Sequence, residues 1–284
     1  MPAFDTPDPI TIEIYLVAGD VRITAGERAD TTVEVRPTDE GIDLDVRAAE
    51  QTRVERTATG VLIRAPRPRT LGLFGKPGSV DVTIGLPAGS RVRGETAMAA
   101  FRSAGALGEC RIKTAAGAIQ LDQAGPVDLR TSAGGIEVTR VTGPAEVSAG
   151  SGRVRLGEVD GPAAVSTTNG ESWIGAVTGD LHVRASNGPV FVGRAGGGVD
   201  ARTSNGDIRI GELTRGTAVL RTGFGEIEAG IGAGTAARLD LYTQFGRVHN
   251  ELAEADGPGP ADEVLELQAR TSYGDIVLRR PAPG

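Results

Sequence analysis

One phrase, Thr203-Ser204-Asn205-Gly206-Asp207-Ile208-Arg209-Ile210, decides the fold because it recurs from about residue 95 to the C-terminus. Most copies read Thr or Ala, a small residue, a variable residue, Gly, any residue, Ile or Val, any residue, and an aliphatic residue. Self-similarity at a fixed period is the signature of a repeat architecture. The repeat glycines are Gly117, Gly134, Gly152, Gly170, Gly188, Gly206, Gly225, Gly246 and Gly274, spaced by 17, 18, 18, 18, 18, 19, 21 and 28 residues.

The ends of the repeat region depart from this period. An earlier, degenerate copy has Ala99 in the glycine place and Phe101 in the Ile place, 18 residues before Gly117. The final spacing of 28 equals one repeat of 18 plus an insertion of ten residues. We expect the inserted loop at about 253–262, where Gly and Pro are concentrated.

Each unit contains two stretches with period-2 alternation, such as Val199–Thr203 and Asp207–Ile210. Alternation of this kind indicates strands with one buried face. Two short strands and two turns in 18 residues allow two architectures. A meander of hairpins is one, since Asn-Gly between alternating runs favours a hairpin turn. A β-solenoid, in which equivalent residues of successive coils stack at about 4.8 Å, is the other.

The residues that precede the repeat glycines favour the solenoid. Three of the four asparagines of the chain hold this position in consecutive units, and three of its ten aromatic residues hold it in the units that follow. Side chains of one kind on consecutive strands form ladders in a coil, whereas a meander gives no reason for them to match. The predicted structural ladder is Asn169, Asn187, Asn205, Phe224, Phe245 and Tyr273.

The repeated phrase resembles a bacterial family of uncharacterised β-strand-repeat proteins labelled "putative adhesins", which is related to the toastrack domains of membrane-stress systems. Two N-terminal segments, Val17–Ile23 and Val82–Gly89, belong to the same pattern. The resemblance covers nearly the whole chain. It implies an all-β fold, a right-handed β-helix-like solenoid of about 18-residue coils, with a structural or adhesive role and no catalytic residues.

Residues 1–95 depart from the regular period, and we expect them to form a β-rich N-terminal cap with the first irregular coils. A solenoid end exposes unpaired backbone, so it needs a cap. Residues 96–284 are predicted as regular coils that continue the same structural unit. Pro281 and Pro283 are expected to end the last strand and to discourage end-to-end growth. The predicted strands of the cap are Ile10–Leu16, Val21–Thr24, Thr32–Arg36, Ile42–Val46, Val61–Arg64 and Val80–Leu86, and residues 67–78 are predicted as a loop with an apolar tip.

Composition excludes several classes of function. The net charge of −7 disfavours a protein that binds nucleic acid through phosphates. One cysteine, Cys110, excludes an internal disulfide framework and a Cys-based zinc site, and two histidines disfavour a His-rich metal site. We therefore expect no cofactor and no metal, and we expect Cys110 to be a buried structural thiol. No apolar segment approaches a membrane span, so the expectation is a cytoplasmic protein without a signal peptide or direct membrane insertion.

The motifs of common enzymes are missing, and no catalytic residue is predicted. Residues 196–201 fit a dinucleotide-binding pattern but lie between predicted strands, with no helix whose N-terminus would hold a phosphate. Solenoid enzymes that act on polysaccharides need carboxylates grouped on one outward face. The outward row before the repeat Thr is basic instead, and Arg184, Arg202 and Arg221 are expected to stack on consecutive coils. A partly acidic row that includes Asp200 and Asp240 runs beside it, and the favoured interpretation is a solvated face with cross-strand ion pairs. In the functional interpretation the stacked arginines need neutralisation, which Asp207 and Glu226 across the turn could supply, or else an anionic partner does.

The only tryptophan of the chain belongs to a second outward row. Trp173 and Phe191 are predicted neighbours on consecutive coils, flanked by Arg155 and Arg209. Adjacent aromatic residues with arginines have the composition of a protein-interaction hot spot. The alternatives are a cross-strand pair that only stabilises the fold, or a pair that the N-terminal region covers.

From these features we expect a non-catalytic scaffold or protein-interaction module, self-associating or binding another protein through the Trp173/Phe191 face. The resemblance links it to envelope or membrane-stress systems. The alternative is a β-helix carbohydrate-active enzyme, or a binder of an anionic polymer, that uses Arg184, Arg202 and Arg221.

Overall fold

The computed structural model describes residues 2–66, 77–252 and 263–281. The predicted inserted loop at 253–262 lies outside the described residues, as does most of the predicted loop at 67–78. The chain divides into two compact units, residues 1–141 and 142–284. The boundary that the sequence suggests near residue 95 stays a prediction.

The first unit contains a set of strands and one helix. The strands are β1 (Ala3–Asp5), β2 (Thr11–Gly26), β3 (Asp30–Pro37), β4 (Arg53–Arg56), β5 (Gly60–Arg64), β6 (Ser79–Pro87), β7 (Arg91–Ala104), β8 (Cys110–Ala116), β9 (Ile119–Ala124), β10 (Val127–Ala133) and β11 (Ile136–Val141). The helix is α1 (Asp43–Gln51).

Strand β2 organises the N-terminal part of this unit. It pairs in parallel with β7 on one side and with β5 and β6 on the other. Beyond that layer the pairing becomes antiparallel, since β3 pairs with β6, β4 with β5, and β1 with β3. From β7 onward the strands are again parallel, with β8 beside β7 and β10 beside β8. The β-rich cap predicted for the N-terminal region is confirmed.

The strand predicted at Ile42–Val46 is wrong, because these residues begin helix α1. The alternation there spans only five residues, and strong helix formers follow it at Ala48–Gln51. Asp43 and Asp45 lie in the first turn, where a negative charge is favourable at a helix N-terminus. The buried Asp45 carboxylate accepts a hydrogen bond of 2.8 Å from the backbone N–H of Ser79, which ties the helix to β6.

In the described residues this nine-residue helix is the only one, and no helix there is long and apolar enough to cross a membrane.

The second unit contains strands only, in its described residues. They are β12 (Ala145–Ser151), β13 (Val154–Val159), β14 (Ala163–Asn169), β15 (Ser172–Val177), β16 (Leu181–Asn187), β17 (Val190–Ala195), β18 (Val199–Asn205), β19 (Ile208–Leu213), β20 (Gly216–Phe224), β21 (Ile227–Ile231), β22 (Thr235–Phe245), β23 (Val248–Asn250), β24 (Glu263–Tyr273) and β25 (Ile276–Arg279).

Each coil of the second unit is one pair of strands joined at the repeat glycine. The first strands of the coils pair in parallel, as β16 does with β14 and β18, and the second strands do the same, as β17 does with β15 and β19. Equivalent residues of successive repeats are therefore neighbours across the ladder. The nearly all-β solenoid fold is confirmed, and the meander of hairpins is wrong, because a hairpin joins antiparallel strands.

The spatial order of the last coils differs from their order in the sequence. Strand β24 pairs with β20 on one side and with β22 on the other, and β25 lies between β21 and β23. The last strand of the chain is thus internal, and the coil of β22 and β23 is terminal in space. Strand β25 ends at Arg279, before Pro281 as expected, but it is an internal strand, so the expectation that Pro281 discourages growth at the end of the solenoid is wrong. Pro283 lies outside the described residues.

The repeat phrase is explained by contacts between stacked corners. A Cβ atom on Gly206 would lie 2.2 Å from the carbonyl oxygen of Gly188, so only glycine allows the coils to approach at this corner. The hydroxyl of the buried Thr222 donates to the carbonyl oxygen of Gly206 (2.9 Å), and Thr271 donates likewise to Gly225 (3.0 Å). The recurring Thr satisfies a buried polar group of the neighbouring coil.

Candidate interaction surfaces

The four residues of the predicted hot spot form one column on the second strands of the coils. Arg155 is in register with Trp173, Trp173 with Phe191, and Phe191 with Arg209. The Arg155 guanidinium lies 4.5 Å from the centroid of the Trp173 ring, and that of Arg209 lies 5.7 Å from the Phe191 centroid. We call these four residues the tryptophan patch.

The surroundings of the tryptophan patch reduce what it offers to a partner. Trp173 and Phe191 are half-buried, and a cation lies over one ring face of each. The Arg209 guanidinium forms ion pairs with Asp207 (3.1 Å) and Glu226 (3.8 Å), and with Glu228 as well (3.6 Å). The patch is therefore a cross-strand cluster with much of its charge neutralised within the fold.

The predicted arginine row exists and is longer than expected. Arg184, Arg202 and Arg221 are in register on β16, β18 and β20, and Arg270 of β24 follows them directly. All four side chains are exposed. We call these four residues the arginine column. Its length could not be seen in the sequence, because Tyr242 separates Arg221 from Arg270 in the order of the repeats.

Neutralisation of the arginine column is partial and comes from the acidic row beside it, as a solvated face with cross-strand ion pairs predicts. Arg202 forms a bidentate hydrogen-bonded pair with Asp200 of its own strand, at 2.7 and 2.9 Å. Arg270 pairs with Asp240 at 3.1 Å. The prediction that Asp207 and Glu226 neutralise this row is wrong, since both face Arg209 on the other side of the turn. Among the described residues, Arg184 and Arg221 have no carboxylate within ion-pair distance, so the column carries a net positive charge.

The asparagine part of the structural ladder is a continuous chain of hydrogen bonds. The Asn187 side-chain amide donates to the Asn169 carbonyl oxygen at 3.0 Å, and Asn205 donates to Asn187 at 2.8 Å. These side chains are exposed at the corner of the coils. Each side-chain amide forms a hydrogen bond with the equivalent residue of the next coil. Because these bonds form only when equivalent residues are neighbours, the ladder favours this register in all three coils.

Three stacked aromatic rings continue the same corner column. Asn205 is in register with Phe224, and the ring of Tyr273 stacks between those of Phe224 and Phe245, with centroids 4.8 Å apart on both sides. The exposed fractions are 57% for Phe224, 47% for Tyr273 and 55% for Phe245. These rings, the aromatic column, form the most exposed aromatic cluster of the second unit as described.

The exposure of the aromatic column was missed in the sequence, where these residues were interpreted as structural. The signal was their place directly before the repeat glycine. At this position the preceding Asn side chains point out of the corner, so rings there point out as well. Their spatial order, with Tyr273 central, follows from the insertion of β24 between β20 and β22.

An open groove lies on the first unit, with Tyr15, Glu95 and Lys113 along it. Its other side chains are neutralised in part, because Arg111 pairs with Glu109 and Arg130 with Asp128. Arg64 stacks over the Tyr15 ring at 5.1 Å. Opposite charges alternate in this groove, as on a solvated strand face.

Cys110 is buried, as predicted, at the start of β8. Burial raises the pKa of its thiol to about 12, with a smaller contribution from the neighbouring Glu109 carboxylate. A protonated, inaccessible thiol is a poor nucleophile. In the described part of the chain, no three His, Cys, Asp or Glu side chains are grouped so that they would hold a metal ion.

No family model and no curated protein sequence matches the chain. Among solved structures, it is similar to a "putative cell adhesion protein" from Clostridium sporogenes ATCC 15579, with 10% identity, 98% of each chain covered and a TM-score of 0.22. It is also similar to a "putative adhesin" from Bacteroides fragilis NCTC 9343, with 11% identity, coverage of 98% of this chain and 95% of that one, and a TM-score of 0.36.

The names of both structures agree with the family that the repeat phrase resembles. At these TM-scores neither superposition defines the fold or the role of this chain.

Proposed function

We propose that the protein is a non-catalytic β-solenoid scaffold that binds another protein through the second unit. The aromatic column carries this proposal, because three stacked rings are about half exposed at one corner. Exposed aromatic clusters are typical of interaction surfaces. The arginine column lies three residues earlier on the same strands, so the partner is a protein surface that combines apolar and acidic groups.

The tryptophan patch is a second proposed contact, for a partner or for another copy. Its rings are half-buried and its arginines already engage them. For this reason we expect it to contribute less to binding than the aromatic column does.

Replacement of the central ring tests the proposal. We expect Tyr273→Ser to weaken partner binding by about 30-fold, which corresponds to the loss of one hot-spot residue. The partner is first captured by cross-linking to the wild-type chain in the organism of origin. Its purified form is then titrated against each variant by calorimetry.

Trp173→Ala is the matched variant, since it also removes one aromatic side chain from an outward row of the second unit. A loss of affinity with Trp173→Ala alone would move the binding surface to the tryptophan patch. Full affinity in both variants would contradict the proposal. Circular dichroism on each variant shows whether the fold is kept.

Binding of an anionic polymer is the second candidate function, and the length of the arginine column favours it. Four arginines in register at about 4.8 Å match the regular charge spacing of a polyanion. We expect Arg184→Glu with Arg221→Glu to abolish retention of the chain on a polygalacturonate or heparin column at 50 mM salt. The wild type should elute earlier as salt is raised. A wild-type chain that is not retained at low salt rules this candidate out.

The link to envelope or membrane-stress systems is a proposal that rests on the resemblance of the repeat phrase. The cytoplasmic location expected from the sequence is a separate proposal. Fractionation of the source cells with an antibody against the chain tests both. Recovery with the envelope fraction only, in a salt-resistant form, argues against the cytoplasmic location.

A further inference from the structure

The terminal coil of the second unit has a free edge. Strand β22 pairs with β24 on one side, and no strand of the described residues pairs with its other side. Such an edge presents a row of unpaired backbone N–H and C=O groups, which is a template for another strand. At 11 residues, β22 is long for an unprotected edge.

The inner face of β22 is also incompletely covered. Leu239 and Leu241 are half-buried, whereas Leu267 and Ala269, their neighbours on β24, are 0% exposed. On the opposite side of the same coil, Val248 is 43% exposed. Within the described residues, the apolar core of the solenoid is therefore incompletely covered at this end.

The sequence of β22 is complementary to itself when two copies run antiparallel. With Leu239 opposite Leu239 of the partner subunit, Arg238 faces Asp240 of the partner subunit, and the same pair forms a second time by symmetry. Both charged side chains are exposed on the outer face, and Asp240, which pairs with Arg270 of β24, keeps a second carboxylate oxygen for the partner subunit's Arg238. Ala237 then lies opposite the partner subunit's Leu241 on the inner face. Opposite charges in directly opposed positions stabilise an antiparallel pair.

Neighbouring registers lose this complementarity. Centring the pair on Arg238 or on Asp240 opposes two like charges. Every register centred on a residue of β22 keeps the inner faces together, so the charges decide among them. A centre at 237 or 241 separates Arg238 from Asp240. One register therefore combines apolar contact inside with two ion pairs outside.

We propose that β22 pairs antiparallel with β22 of a second copy, in the register centred on Leu239, and that this contact closes the open end of the core in a two-fold symmetric dimer. A contact between identical surfaces is closed, so it yields dimers and not filaments. The proposal does not depend on the partner-binding role of the aromatic column. The two have separate tests, because Leu239 belongs to neither the aromatic column nor the tryptophan patch.

A disulfide at the two-fold axis tests the register. Directly opposed residues of an antiparallel pair have Cα atoms about 4.5–5.5 Å apart, which a disulfide spans. Leu239→Cys should therefore form a covalent dimer under mild oxidation. Ala237→Cys is the matched control and should stay monomeric on a denaturing gel, since it faces residue 241 of the partner subunit. Combining Ala237→Cys with Leu241→Cys should restore the cross-link, and the buried Cys110 gives little background.

The mass of the wild-type chain is measured by light scattering over a 100-fold concentration range. We expect a dimer that Arg238→Glu weakens about tenfold, because it opposes like charges at two places. Arg184→Glu, on the interior strand β16, should leave the dimer intact. A monomer at every concentration overturns the proposal, as does equal cross-linking of Leu239→Cys and Ala237→Cys. Protection of the Leu239→Cys thiol in a monomer does so too, since another part of the chain then covers the edge.

Discussion

Ile208→Asp is expected to unfold several coils of the second unit together. Ile208 is 0% exposed on β19 and lies between Val190 and Ile227 of the neighbouring coils. The substitution removes an apolar side chain from a packed column and buries an unpaired charge in its place. We expect a loss of about 5 kcal/mol in the free energy of unfolding, which approaches the whole stability of an ordinary domain.

The single tryptophan of the chain reports this loss. Trp173 lies on β15, two strands from β19 in the same ladder, and it is half-buried. Because coils are coupled to their neighbours, its emission should shift to the red at a much lower denaturant concentration in Ile208→Asp. Ile208→Val, which removes one methylene group, should cost only about 1 kcal/mol. An Ile208→Asp chain with the denaturation midpoint of wild type would falsify the stacked core.

Gly206→Ala is expected to have the second largest effect, for a different reason. The added Cβ would lie 2.2 Å from the carbonyl oxygen of Gly188 and 3.0 Å from the backbone nitrogen of Pro189. These atoms belong to the backbone of the next coil and cannot move as a side chain does. The φ angle of +148° adds strain for any residue with a Cβ. We expect a loss of about 3 kcal/mol, since the coils must separate locally.

Gly234→Ala provides the matched control within the same unit. Gly234 also has a positive φ, +75°, but an added Cβ there meets nothing within 4 Å. The cost should be limited to the left-handed conformation, about 1 kcal/mol. Denaturation followed by Trp173 fluorescence compares the two variants directly. Equal losses at both positions would show that the repeat glycine is required for its backbone conformation and not for the close approach of the coils.

Much of the candidate site could be predicted, because stacking converts sequence period into spatial contact. The Asn169, Asn187 and Asn205 ladder and the Trp173–Phe191 pair follow directly from the 18-residue spacing. Which of these side chains remain available to a partner was harder to predict. Whether Arg209 is free or engaged depends on Asp207 and Glu226, which lie on its own side of the turn but belong to a different row of the repeat.

The helix shows where a short pattern fails. The residues at 42–46 alternate as a strand does, yet they form the first turn of α1, because the helix formers after them and the Asp45–Ser79 hydrogen bond outweigh five residues of alternation. Alternation with a period of two must extend over more than five residues before it predicts a strand more reliably than helix propensity predicts a helix.

The repeat alone determined the parallel solenoid, its inner columns of aliphatic residues and the glycine corner. Each of these features depends on residue types that recur at the same positions of successive repeats. Only the tertiary structure decided which coil is last. The phrases around Gly246 and Gly274 share the Thr, the aromatic residue and the Gly of the corner, so the corner residues do not specify which coil is the neighbour. The choice depends on which strand fills the interior better on both sides. Leu265, Leu267 and Ala269 of β24 are fully buried there, whereas β23 carries Asn250 opposite Leu278 and remains at the open end.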